Sequence, residues 1–464
     1  MPDKLRENIS CIIYTAVICL LSVQILAGCI WGIINFSILQ QFGETTALLK
    51  MSETLAVTGD TGVIYPALLA VIRTLTLNGP VKYYMVMYIL QLCFAFFAWF
   101  YFSGNVLGIE GTAKKVWISM AVVTCPYAMQ CHEAVLEYSF ASSLLCFLIT
   151  FQIMFIRKWK EEKKPHAASE SFRDLSVLSL FWLLLSLLRV EFILIGFIPV
   201  LALLVIVIRK LWPGKKTGII IPISIVAVFF IAIVELNVLF GDKLRLSPID
   251  NIERSMYYRV AWSEDLDERD YWPAEVVTIV DEDTMIMTMD DPGLVRTEFT
   301  DVINGSIGRR DTSSKMLSWA WSAFKDNKKG IVLDTVTEIA GYLFSPLVTE
   351  IKLEGSGLPG YATGNYDLMR RHAPVFTKYY LRLSSLIYCF ILLLVIPGIV
   401  EMLRNKKVAG AVLPCAVTML IAAVIYTFSG NNVWDHRKVL FSTCLWIAVF
   451  AGMSVKQVFG RSAG

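Results

Sequence analysis

About ten apolar segments of membrane-spanning length divide this chain, and the links between them alternate in charge. A bilayer core of roughly 30 Å asks about 20 apolar residues of a helix. The segments are 12–34, 81–103, 115–130, 135–156, 175–189, 191–208, 217–240, 381–402, 408–428 and 438–456. Lipid offers the backbone no hydrogen bonds, so such segments must close their own as helices. The expectation is an all-α polytopic membrane protein of about ten transmembrane helices. With 56% hydrophobic and only 17% charged residues among 464, and a mean hydropathy of +0.60, a water-soluble fold is excluded.

The links after the even-numbered spans are basic. They carry Lys114/Lys115, Arg157-Lys158-Trp159-Lys160 with Lys163/Lys164, Arg209/Lys210 with Lys215/Lys216, and Arg404 with Lys406/Lys407. Lys4 and Arg6 precede the first span, and Lys456 and Arg461 follow the last. Lys and Arg are retained in the cytoplasm, so this pattern predicts a multi-pass protein of the cell membrane with both termini cytoplasmic. The first span is too long for a signal-peptide core and no A-x-A site follows it, so it reads as uncleaved. The ten cysteines lie in or beside apolar spans and read as small core residues rather than a disulfide framework.

The organisation follows in three parts. Residues 1–240 form an N-terminal membrane module whose first outer loop, 35–80, holds two short helices near 44–56 and 64–77. Neither reaches spanning length, so both are expected at the membrane surface. Residues 241–380 hold 23 of the 39 Asp/Glu against 16 Lys/Arg, a balance suited to an extracytoplasmic domain of mixed, mostly helical structure inserted before the last three spans. Helical periodicity shows near 312–325 and 330–345. Residues 381–464 are the C-terminal membrane helices.

Four polar clusters fall at the outer face, where charge is costly and so marks function. Asp60 lies in Gly59-Asp60-Thr61-Gly62, just before Tyr65-Pro66; it is a helix cap, a solvated loop acid or a catalytic acid. In Cys131-His132-Glu133-Ala134-Val135-Leu136-Glu137, Glu133 and Glu137 are four residues apart and share a helix face, with His132 before them at the tip. That set could hold a divalent metal or a phosphate-bearing headgroup, or simply start a helix. Arg189 and Glu191 sit in a hairpin that lacks Gly, Asn or Pro. Asp435-His436-Arg437-Lys438 opens the last span; two cations at an outer end suit a phosphate or a headgroup anchor. Asp281-Glu282-Asp283 reads as a solvated acidic run, and no P-loop, G-x-S-x-G, C-x-x-C or zinc motif is present.

In this order the clusters resemble the GT-C superfamily of membrane glycosyltransferases, which use polyprenyl-phosphate sugars. The resemblance rests on the Asp60 loop with Tyr65-Pro66 behind it and on Leu188-Arg189-Val190-Glu191, similar to a Leu-Arg-Pro-Glu stretch of many bacterial members. A long late outer domain before an Arg-led last span agrees. Thr61 and Val190 depart from the acidic pair and the proline common in the family. The resemblance implies a GT-C-like fold and Asp60 as general base. It further implies sugar transfer, with inversion, from a lipid-linked donor to a lipid, glycan or protein acceptor. Tyr65, His132, Glu133, Glu137, Arg189, Glu191, Asp435, His436, Arg437 and Lys438 would then bind substrate. No soluble cofactor and no nucleic acid partner are expected, with a divalent metal left open. The alternatives are an O-antigen polymerase or ligase-like protein, which would lean on the late loop, and a non-enzymatic transporter, which would need polar groups at mid-span.

Overall fold

The computed structural model describes residues 3–35, 43–55, 62–133, 135–161, 168–189, 192–211, 217–241 and 328–344, with isolated positions from 318 onward. Among these the secondary structure is helical, with no strand. The helices are α1 (Asp3–Asn35), α2 (Gly43–Thr54), α3 (Ile64–Leu75), α4 (Pro80–Asn105), α5 (Thr112–Val123), α6 (Pro126–Glu133), α7 (Tyr138–Glu161), α8 (Ala168–Leu188), α9 (Phe192–Leu211), α10 (Thr217–Gly241) and α11 (Lys328–Phe344). Helices α1–α10 belong to one compact unit and α11 to a second. The spans expected at 381–402, 408–428 and 438–456 lie outside the described residues apart from isolated positions. So does most of the expected outer domain.

Four stretches are long and apolar enough to cross a membrane: Val81–Asn105, Tyr138–Trp159, Phe192–Lys210 and Ile219–Phe240. The outward faces agree. On α10, Ile220, Val228, Ile231 and Leu239 are exposed while Ile225 and Ile233 are buried. An apolar helix face of that extent is untenable in water and natural against lipid tails. The described residues are those of an all-α membrane protein.

One expected span is broken. Residues 115–130 form α5 and α6, twelve and eight residues long, with a turn at Thr124-Cys125 between them. Pro126 has no N–H to give and its ring crowds the preceding turn, so the helix stops and restarts with proline in its first turn. The Thr124 hydroxyl donates to the Met120 carbonyl (2.6 Å) and ties off the broken end. Helix α1 packs close to this break: Gly28 meets Thr124, and the Gln24 side-chain amide donates to the Ala121 carbonyl.

Ring contacts give the helix directions. Phe94 meets Phe140 and Tyr101 meets Phe151, so α4 and α7 run the same way. Phe181 stacks on Phe151, and Trp182 on Phe230, while the Trp182 indole donates to the Ile193 carbonyl. Thus α8 opposes α7 and α9. At one end of the α7–α8 pair, Asp174 is fully buried; it accepts from Lys158 Nζ (3.0 Å), from the Trp159 indole (3.1 Å) and from Arg173 (3.1 Å). The opposite end carries the candidate site.

Candidate functional site

The segment that leads into α3 comes to this end through a glycine. Gly62 N–H donates to the Leu188 carbonyl (2.7 Å), and a Cβ on Gly62 would collide with the Leu187 carbonyl. Only glycine permits so close an approach of two backbones. The loop that bears Asp60 is therefore anchored, two residues later, beside Arg189. Asp60 itself lies outside the described residues. Helix α3 starts at Ile64, with Val63 at its N-cap position.

From Gly62 the chain enters α3, and Tyr65 is buried completely. The Tyr65 hydroxyl donates to Gln91 Oε1 (3.1 Å), and Gln91 Nε2 donates to the His132 carbonyl (2.6 Å). His132 Nδ1 lies 2.7 Å from the Ser139 hydroxyl. Burial holds the imidazole neutral, its pKa lowered to about 3, because no water solvates the cation. Burial, then the charge of Glu137, push the Tyr65 phenol well above its ordinary value. Gln91 sits some eleven residues into α4, so about 17 Å of that helix extends past the site. Helix α3 returns along this stretch as an antiparallel hairpin.

The second half of the site is an ion pair. Arg189 Nη1 donates to Glu137 Oε1 (2.6 Å), with side-chain exposures of 4% and 1%. The guanidinium also lies over the Tyr138 ring, 4.8 Å from its centroid. Glu137 immediately precedes α7 and Arg189 immediately follows α8, so the pair closes the open end of that hairpin.

The expected face shared by Glu133 and Glu137 is not formed. Helix α6 ends at Glu133, residues 135–137 turn, and α7 starts at Tyr138. Val135 and Leu136, 1% and 2% exposed, are drawn inward there, and burying them breaks the helical run. Tyr65, His132, Glu137 and Arg189 come together. The side chain of Glu133, and Glu191, Asp435, His436, Arg437 and Lys438, lie outside the described residues. Among the described residues no group of three His, Cys, Asp or Glu could hold a metal. Sequence reasoning passed over Gln91 and Ser139. Gln91 had a signal: a lone amide within the apolar run 81–103, at a depth where polar groups need partners.

Comparison with protein-family models, with curated proteins and with solved structures returns no match.

Proposed function

We propose that this protein is a membrane glycosyltransferase of the GT-C type, moving a sugar from a lipid-phosphate donor to an acceptor at the outer face of the membrane. The observation that supports it best is the hydrogen bond from Gly62 to Leu188. The two sequence elements that carry the family resemblance, 126 residues apart, are joined backbone to backbone. Gly62, two residues after Asp60, thereby lies at the same end of the bundle as Arg189, Glu137, His132 and Tyr65.

In this reading the acceptor hydroxyl oxygen attacks the anomeric carbon. Asp60 takes the hydroxyl proton. The bond from the anomeric carbon to the phosphate oxygen breaks, and its electron pair leaves with the lipid phosphate. Attack from the opposite side inverts the anomeric centre. Positive charge placed where the phosphate departs lowers the barrier; Arg437 and Lys438 are the candidates. The lipid anchor keeps the donor in the bilayer that the helices span.

The test is Asp60→Asn, nearly isosteric and unable to take a proton. Turnover of lipid-linked sugar in nanodiscs should fall by about 10²–10⁴-fold with yield and melting temperature unchanged. Wild-type turnover by the purified variant would remove Asp60 as base and the mechanism with it.

A further inference from the structure

Among the polar atoms of the buried cluster, His132 Nε2 and Glu137 Oε2 have no hydrogen-bond partner in the protein. Their residues are 2% and 1% exposed, so both atoms are shut off from bulk solvent. A buried polar atom without a partner destabilises the fold, a carboxylate oxygen more than most. Here two occur together, on residues whose other polar side-chain atoms are engaged: His132 Nδ1 with Ser139, Glu137 Oε1 with Arg189.

We infer that His132 Nε2 and Glu137 Oε2 bind hydroxyl groups of the transferred sugar, and that the lipid phosphate sits elsewhere. The inference rests on the transferase reading and assigns its substrate parts to places. An ionised carboxylate oxygen only accepts, so the group at Oε2 must donate an O–H or N–H. A phosphate would meet like charge there. A neutral imidazole nitrogen is a donor or an acceptor according to tautomer, and a hydroxyl can match either. The described cation of this cluster, Arg189, gives its Nη1 to Glu137 Oε1 (2.6 Å) and lies over the Tyr138 ring. The described cluster is therefore neutral in sum, suited to an uncharged polyol and poorly suited to an anion. Arg189 becomes a positioning residue, holding the carboxylate of Glu137 with one oxygen turned to the ligand.

The experiment compares two probes in nanodiscs, a bare polyprenyl phosphate and the same lipid carrying a neutral hexose. The wild-type protein should bind the hexosyl lipid about tenfold more tightly. His132→Asn keeps a polar atom near the Nδ1 position for Ser139 and deletes Nε2; Glu137→Gln keeps an oxygen for Arg189. Each should reduce the preference about fivefold, the worth of one hydrogen bond. Affinity for the bare lipid phosphate should not change, which also reports that the variants are folded. Equal affinities for the two lipids in the wild type would overturn the inference. So would variants that keep the preference or lose affinity for both lipids alike, while wild-type turnover would leave the transferase reading standing. A preference that depends on His132, with no transfer to any acceptor, would support sugar binding and remove the transferase reading alone.

Discussion

Arg189 and Glu137, 52 residues apart in sequence, form a buried ion pair at 2.6 Å that joins the end of α8 to the start of α7. Two charges withdrawn from water must compensate each other closely, and removing one leaves the other stranded. Glu137→Ala should therefore cost about 3–5 kcal/mol of stability. Replacing both residues by methionine should cost much less. Thermal unfolding in a fixed detergent checks this; a double variant as unstable as the sum of its singles would show that the two side chains do not interact energetically.

Gly62 tests the anchoring of the segment that leads into α3. A methyl group there must push the Leu187 carbonyl away, and forced overpacking of this kind typically costs about 1–3 kcal/mol. Gly62→Ala is expected to lower the melting temperature and, by shifting the segment that bears Asp60, to lower turnover as well. An alanine variant with wild-type stability would mean that the approach of the two backbones is not maintained in the membrane.

His132 makes the fold sensitive to acid. Its folded-state pKa is lowered to about 3 by burial, below the ordinary value of 6.5 for an exposed ring. Between these values the unfolded chain binds a proton that the native site refuses, so stability rises with pH there. The contribution is fully present above about pH 6.5 and is lost progressively as pH falls toward 3. Melting temperatures from pH 8 to 4 should decline more steeply in the wild type than in His132→Asn. Parallel curves would place the ring in contact with solvent.

Topology is tested with single cysteines placed at positions 165 and 300 of a cysteine-free variant. An impermeant thiol reagent applied to intact cells should label 300 and spare 165, since the link at 157–164 is basic and 241–380 is acidic. Labelling at 165 alone would reverse the orientation, and the site would then face the cytoplasm.

The sequence by itself determined that this is a helical membrane protein and, closely, where most described helices run. Apolar length and a desolvated backbone leave a segment such as 217–240 no alternative to helix, and α10 spans Thr217–Gly241. The two short helices of the first loop appear as α2 and α3 for the same local reason. Pro126 carried a readable break signal that length alone concealed. What the tertiary structure decided is which polar groups meet. Arg189 had a carboxylate two residues away in sequence, yet its described ion pair is with Glu137, because α7 and α8 pack antiparallel and bring those ends together. Gln91 links Tyr65 to His132 only once α3, α4 and α6 are packed. Helix formation is settled by neighbours along the chain, whereas partner choice among buried charges depends on packing that no local pattern encodes.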